Sequence, residues 1–421
     1  MQTKLAGWAQ NTADGPEIAG ILGRCTHCGF CLATCPTFQI LGDELDSPRG
    51  RIYQMKAVFE GMAPSRETQR HLDRCLTCLN CETTCPSGVE YGKLLDAGRR
   101  VVVERTRRSL RERMLRAGLR RLMGSHWFGV LYRIGRRARP LLPPALQSKI
   151  TRRRAAGTLP AHPERHARQV LLLANCVQPA MMPSIDAATR RVLDAVGVGA
   201  RVVGGSGCCG AINFHLDAQD AARRQMRANV DAWLPLLESG EAEAVVINAT
   251  GCGGFIKDYA RHLRHDPDYA ERAGRLVPRI RDIAEFLAPM TDVLRARMRR
   301  APGRAAFQVP CTLQHWQGLR GTTERLLQGL GFELQPFADS HLCCGSAGSY
   351  SITQPDLSRA LRARKLAAIE ATRPDTIVSA NIGCIGHLQA GTDTPVKHWI
   401  ECVDEAMRDP GQPASQRFTA R

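Results

Sequence analysis

The chain has 421 residues, 43% hydrophobic and 23% charged, which allows two or three packed domains and excludes wholesale disorder. Aromatics at 5% are too few for a base-stacking nucleic-acid platform, and 17 cysteines are too sparse for a disulfide scaffold yet too many to be incidental in a reducing compartment. The net charge is +18, and the segment from Arg99 to Arg168 alone carries 20 Lys and Arg against three acidic residues. Residues 1–19 include Lys4, Asp14 and Glu17 without an apolar block, and no run of 18 apolar residues occurs. The sequence therefore predicts neither a signal peptide nor a spanning helix, and a chain that works in the cytoplasm or on the cytoplasmic face of a membrane.

The first element, over residues 15–95, is set by cysteine spacing. Cys25, Cys28, Cys31 and Cys35 form a C-x2-C-x2-C-x3-C-P run closed by Pro36. The same run returns 50 residues later as Cys75, Cys78, Cys81 and Cys85, closed by Pro86. Three thiolates at intervals of three wrap one corner of a cubane and leave its fourth iron to a distant cysteine. In two-cluster ferredoxins the last cysteine of each run crosses to the other cluster. The expectation is one [4Fe–4S] cluster on Cys25, Cys28, Cys31 and Cys85, and a second on Cys75, Cys78, Cys81 and Cys35. Structural zinc is the competitor, but it uses pairs of C-x2-C set about 15–20 residues apart, not two complete four-cysteine runs. Between the runs, Ser47-Pro48-Arg49-Gly50-Arg51 leads into a helix over 52–60 that serves either docking or packing. His27 and His71 read as flanking polar residues.

Residues 96–168 are the basic connector. Leu115, Leu119, Leu122, Met123, Val130, Leu131 and Ile134 recur at helical spacing, with arginines on much of the remaining surface and Trp127 and Phe128 between. This is the pattern of basic amphipathic helices, suited to an anionic membrane surface or an acidic subunit, with internal packing as the plainer alternative. No recognition motif supports nucleic acid.

The remainder repeats, over 169–290 and 304–408. Cys176 precedes Cys208-Cys209-Gly210 by 32 residues, and Cys311 precedes Cys343-Cys344-Gly345 by the same interval. Cys252 and Cys384 follow. Short apolar runs at 170–174, 244–247, 306–309 and 376–379 read as buried strands. Helices over 187–196, 219–237, 323–330 and 356–372 alternate with them. The alternation predicts α/β units with parallel strands, and the cysteines fall just beyond strand ends, where such sheets build sites. A metal or redox role is expected for these eight cysteines. Cys402 lies outside both patterns and reads as a core thiol.

Tandem four-cysteine runs followed by two Cys-Cys-Gly units resemble the CCG-domain iron–sulfur family. The segments around Cys176, Gly207-Cys-Cys-Gly-Ala-Ile-Asn-Phe-His, His341-Leu-Cys-Cys-Gly-Ser-Ala-Gly and Asn381-Ile-Gly-Cys point to its glycolate oxidase branch. The resemblance implies an N-terminal two-cluster ferredoxin-like helical domain followed by two repeated α/β CCG domains, an α+β and α/β chain. It also implies two [4Fe–4S] clusters, FAD-binding flavoprotein partner subunits that oxidise glycolate to glyoxylate, and a membrane quinone as acceptor. Related lactate and glycerol-3-phosphate systems use similar subunits, and a catalytic thiol–disulfide reductase is a further alternative. One departure stands out. CCG domains that build noncubane clusters end in C-x-x-C, whereas here Phe255 and His387 stand three residues after Cys252 and Cys384. A further cluster on Cys176, Cys208, Cys209 and Cys252, or on Cys311, Cys343, Cys344 and Cys384, would have four thiolates. The chain has neither a dinucleotide-binding glycine motif nor a clear acid/base pair, so no catalytic residue is expected in it.

Overall fold

The computed structural model describes residues 1–408 except 126, 142, 144–146, 148–149 and 152–153. Lys149, Arg152 and Arg153 of the basic connector therefore lie outside the described residues. The chain divides into two compact units, one made of residues 1–117 and 339–365, the other of 118–338 and the chain from 366 onward.

The first unit is helical. Pro48–Phe59 starts where the sequence supplies both signals for it: Pro48 at the first turn, and the Ser47 hydroxyl accepting from the Gly50 N–H at 2.9 Å. Ser65 and Thr68 form a reciprocal capping box on Arg66–Asp73. These helices, with Gly15–Arg24 and Tyr91–Arg105, close a core of Ile18, Leu22, Ile52, Met55, Phe59, Leu72, Leu94 and Leu95. The two cysteine runs are loops held on this core, and Pro36–Leu41 and Asn80–Thr84 are the short helices beside them.

The second unit contains two four-stranded, all-parallel sheets of the same topology. The strands of the first are β1 (Arg168–Leu172), β2 (Val198–Val202), β3 (Ala244–Ile247) and β4 (Ile280–Asp282), in the order β2-β1-β3-β4. Those of the second are β5 (Arg304–Phe307), β6 (Glu333–Leu334), β7 (Thr376–Ser379) and β8 (Val396–His398), in the order β6-β5-β7-β8. The fully buried β3, Ala-Val-Val-Ile, is the apolar run a parallel sheet covered on both faces requires. Leu171, Met226, Val230, Trp233, Val245, Ile247 and Phe255 form the core beside the first sheet. The expected helices appear as Pro183–Ala195, Gln219–Glu238, Thr322–Gly329 and Pro355–Glu370, with ends displaced by a few residues. In each sheet the chain reverses its direction of growth between the first and third strands. That switch point opens a crevice at the strand carboxyl ends. Cys176 follows β1 and Cys252 follows β3; Cys311 follows β5 and Cys384 follows β7.

The connector forms the helices Leu110–Met123 and Trp127–Arg137, neither with a buried residue. Among the described residues no helix is long and apolar enough to cross a membrane.

Candidate metal centres

Both cysteine runs use the same backbone device. The second residue after the first cysteine is left-handed in each, His27 (φ 57°) and Thr77 (φ 55°), and so is the fourth, Gly29 (φ 87°) and Leu79 (φ 59°). Left-handed residues in a turn aim backbone N–H groups into its concave side, where they suit an anion or a thiolate cluster. The N–H groups of His27 and Phe30 serve Cys25 and Cys28, and that of Thr77 reaches the Cys75 sulfur at 3.4 Å. Glycine adopts this conformation freely; Leu79 does so at a steric cost.

The loops enclose two adjoining cavities. The first, about 420 Å³ of empty space, is walled by Cys25, Cys28, Cys31 and Cys85, with His27, Gly29, Phe30 and Ile52. The second, about 300 Å³, is walled by Cys35, Cys75, Cys78 and Cys81, with Thr37, Arg51 and Leu79. Cys85 of the second run thus stands at the first cavity, and Cys35 of the first run at the second. Cys81, Pro48 and Tyr91 border both.

The donor sets fit iron–sulfur cubanes better than zinc. A tetrahedral zinc about 2.3 Å from each sulfur needs sulfurs roughly 3.8 Å apart. Among the described residues, the one set of three His, Cys, Asp or Glu ligand atoms within 4.8 Å of one another is Asp43, Asp46 and His71, not a set of thiols. Asp46 in that set already holds Arg51 at 3.2 Å and Arg74 at 2.8 Å.

The thiols differ in their surroundings. Burial pushes Cys31 up to about 11 and raises Cys25 and Cys81. Burial also opposes ionisation of Cys75, but Arg51, Arg99, the Thr77 N–H and the Tyr91 hydroxyl together bring it below the usual thiol range. Sequence reasoning missed this group. Arg51 stands in the segment read as docking or packing, and the structure assigns it to packing: it is 1% exposed and donates from Nε to the His71 carbonyl at 2.8 Å. His71 is itself buried, its Nδ1 3.1 Å from Asp46. His27 lines the first cavity edge-on to Tyr53.

In the first Cys-Cys-Gly repeat the four thiols converge. Cys176 neighbours Cys208, Cys208 neighbours Cys209, and Cys209 neighbours Cys252, each near enough to shift the ionisation of the next. Partnered first by Cys176 and then by Cys209, Cys208 is the thiol held most readily as thiolate, and Cys176 is correspondingly raised. Asn229 and Tyr259 pin the loop: the Asn229 amide donates to the Cys208 carbonyl at 3.2 Å, and the Tyr259 hydroxyl to the Cys209 carbonyl at 2.7 Å. Phe255 is fully buried against Phe214, Tyr259, His262 and Trp316, so hydrocarbon fills the place of the missing fifth thiolate.

In the second repeat, Cys343 and Cys344 belong to the first unit, while Cys311 and Cys384 belong to the second. All four are buried. The motif glycines share one reason for being glycine. Gly210 (φ 96°) and Gly345 (φ 88°) are left-handed, and a Cβ on Gly345 would stand 2.7 Å from the Ser358 carbonyl oxygen. His387 is buried in the helix Ile382–Gln389. Cys402 lies in the helix Trp399–Met407, its thiol pushed up to about 12 by burial.

Comparison with known proteins agrees with this geometry. Residues 21–89 match the 4Fe-4S dicluster domain, and residues 170–257 and 305–389 match the CCG cysteine-rich domain. The chain belongs to the CCG-domain iron–sulfur proteins. It is 47% identical over 408 residues to the glycolate oxidase iron-sulfur subunit of Escherichia coli (strain K12), covering 97% of this chain and 99% of that one. It is 30% identical to the probable glycolate oxidase iron-sulfur subunit of Bacillus subtilis (strain 168), over 89% of this chain and 90% of the relative. Lactate utilization protein A of Geobacillus thermodenitrificans (strain NG80-2) is 28% identical over 56% of this chain and 98% of its own length. A 4Fe–4S-binding region is therefore present, followed by two α/β CCG domains with parallel sheets.

Proposed function

We propose that this chain is the iron–sulfur electron-transfer subunit of a glycolate oxidase (glycolate dehydrogenase) complex. It takes electrons one at a time from FAD-binding partner subunits that oxidise glycolate to glyoxylate, and delivers them towards a membrane quinone. The observation that carries this reading is the pair of adjoining thiol-walled cavities with Cys35 and Cys85 exchanged between them. Two [4Fe–4S] clusters, held by the eight cysteines from Cys25 to Cys85, would supply one-electron chemistry in these adjoining cavities. The chain's own part is to fix their spacing, exclude water from Cys35, Cys75 and Cys81, and set their potentials. Glycolate is favoured over lactate because the glycolate oxidase relatives span nearly the whole chain and the lactate utilization relative just over half. The converged thiols Cys176, Cys208, Cys209 and Cys252 are the place for a further cluster.

The test is Cys78→Ser in the assembled complex. Reduction of the partner flavin by glycolate is expected to persist, while electron delivery to a quinone analogue falls at least a hundred-fold. Undiminished quinone reduction in a variant that has lost a cluster would refute the reading.

A further inference from the structure

The two cavities differ in what faces their sulfurs. At the second, four donors reach two thiols: the Thr37 hydroxyl lies 3.3 Å from Cys35 and Arg51 Nη1 4.0 Å from it, while the Thr77 N–H is 3.4 Å and the Tyr91 hydroxyl 3.5 Å from Cys75. Arg99 braces the same loop, donating to the Thr77 hydroxyl at 2.9 Å and to the Cys75 carbonyl at 2.8 Å. Three guanidinium groups, Arg51, Arg74 and Arg99, stand here against two carboxylates: Asp46, which is fully buried and bonded to the first two, and Asp43, within 4.8 Å of it. At the first cavity the donors are backbone N–H groups, those of His27, Cys28, Gly29, Phe30, Cys31 and Arg49, with the Thr26 side chain. Its charges lie nearer the surface: Arg49, a third exposed, is paired with Glu44 at 2.5 Å, and the N-terminal ammonium donates to the Cys25 carbonyl at 3.0 Å. Cys28 there is exposed.

A cubane gains negative charge on reduction, so positive charge and hydrogen bonds to its sulfurs favour the reduced form. Inside a protein such groups act with little screening. Water at Cys28 works in the same direction for the first site, but it reaches one edge, whereas the second site adds side-chain donors on two thiolates and the buried charge of Arg51 beside Arg99. We infer that the second cavity, built on Arg51, Arg99, Thr37 and Tyr91, holds the higher-potential cluster and is where electrons come to rest, the first cavity being their point of entry at exposed Cys28. The exit lies on the same side. The segment bearing Cys343 and Cys344 is bonded to residues adjoining the second site, with the Asn80 amide donating to the His341 carbonyl at 3.3 Å and the Tyr350 hydroxyl to the Arg74 carbonyl at 3.0 Å.

This inference rests on the two-cluster reading above, and its test separates the two. The anaerobically purified full chain is titrated with dithionite and followed by low-temperature EPR. Cys28→Ser and Cys78→Ser identify which signal belongs to which cavity. The Cys78-sensitive signal is expected to appear at the higher potential. Arg99→Gln and Tyr91→Phe, milder than any change at buried Arg51, should each lower that midpoint and leave the other in place. A tenfold shift in the oxidised-to-reduced ratio at fixed potential, the size expected for Arg99→Gln, is a change of 59 mV for one electron. The ordering is overturned if the Cys78-sensitive signal has the lower midpoint, or if the variants move both signals equally or neither. A chain that purifies without iron removes the two-cluster reading itself.

Discussion

His398 and Asp282 occupy the same place in the two repeats, capping the helix that follows the fourth strand, each in a capping box with a glutamate, Glu401 and Glu285. Full burial lowers His398 to about 3, while its Nδ1 accepts from the Ile400 N–H and its Nε2 stands 3.1 Å from the Asn248 carbonyl. Burial raises Asp282 to about 6. The signs are opposite. His398 is neutral in the fold, so its contribution is present above the unfolded histidine value of about 6.5 and lost as pH falls towards 3. Asp282 favours its protonated form, so its contribution is lost as pH rises through about 6. Between pH 7 and pH 5 the wild-type chain should lose about 2 kcal/mol through His398 alone. In His398→Asn this loss should vanish, seen as a smaller drop in Tm over that interval; parallel Tm profiles would contradict it. The cysteine spacing was legible at this scale because chelation imposes it. The left-handed Leu79 and the buried Arg51 were not, since Leu79 carries no local mark of its conformation and Arg51 is held inside by the His71 carbonyl, 20 residues along the chain, as well as by nearby Asp46.

At the scale of elements, the basic helices are the least enclosed part of the molecule. Leu110 and Met114 are each 73% exposed, and Leu131, Ile134 and Trp127 are exposed as well. The arginines are not all free to meet a partner: Arg108 and Arg116 both pair with Asp73, and Arg136 donates to the carbonyls of Ala180 and Met181. Arg107, Arg111 and Arg113 are on the outer surface. Apolar side chains beside such arginines suit an anionic lipid surface, each charge contributing about 1 kcal/mol. The triple change Arg107→Gln, Arg111→Gln and Arg113→Gln should weaken binding to phosphatidylserine-containing liposomes roughly a hundred-fold at low salt, measured by co-sedimentation. Unchanged binding would assign the helices to packing instead. Helical periodicity showed these helices in the sequence; which arginines were already paired depended on tertiary contacts with residues such as Asp73.

For the whole molecule, the repeat was the most readable feature. Equal intervals between Cys176 and Cys208 and between Cys311 and Cys343 correspond to two sheets of one topology. What spacing did not show is that residues 339–365, with Cys343 and Cys344, fold with the N-terminal unit. Such a crossing depends on long-range contacts such as the Tyr350 hydroxyl on the Arg74 carbonyl, which no local pattern encodes. In the function proposed above, the molecule is a carrier whose two cavities hold the electrons between partner subunits. The most direct measurement is iron and acid-labile sulfide on the anaerobically purified chain, with EPR after dithionite reduction. About eight irons with matching sulfide, and two interacting S = 1/2 signals, are expected from the N-terminal cavities, with about four more irons if the first Cys-Cys-Gly quartet also holds a cluster. A colourless chain containing zinc and no iron would contradict the account.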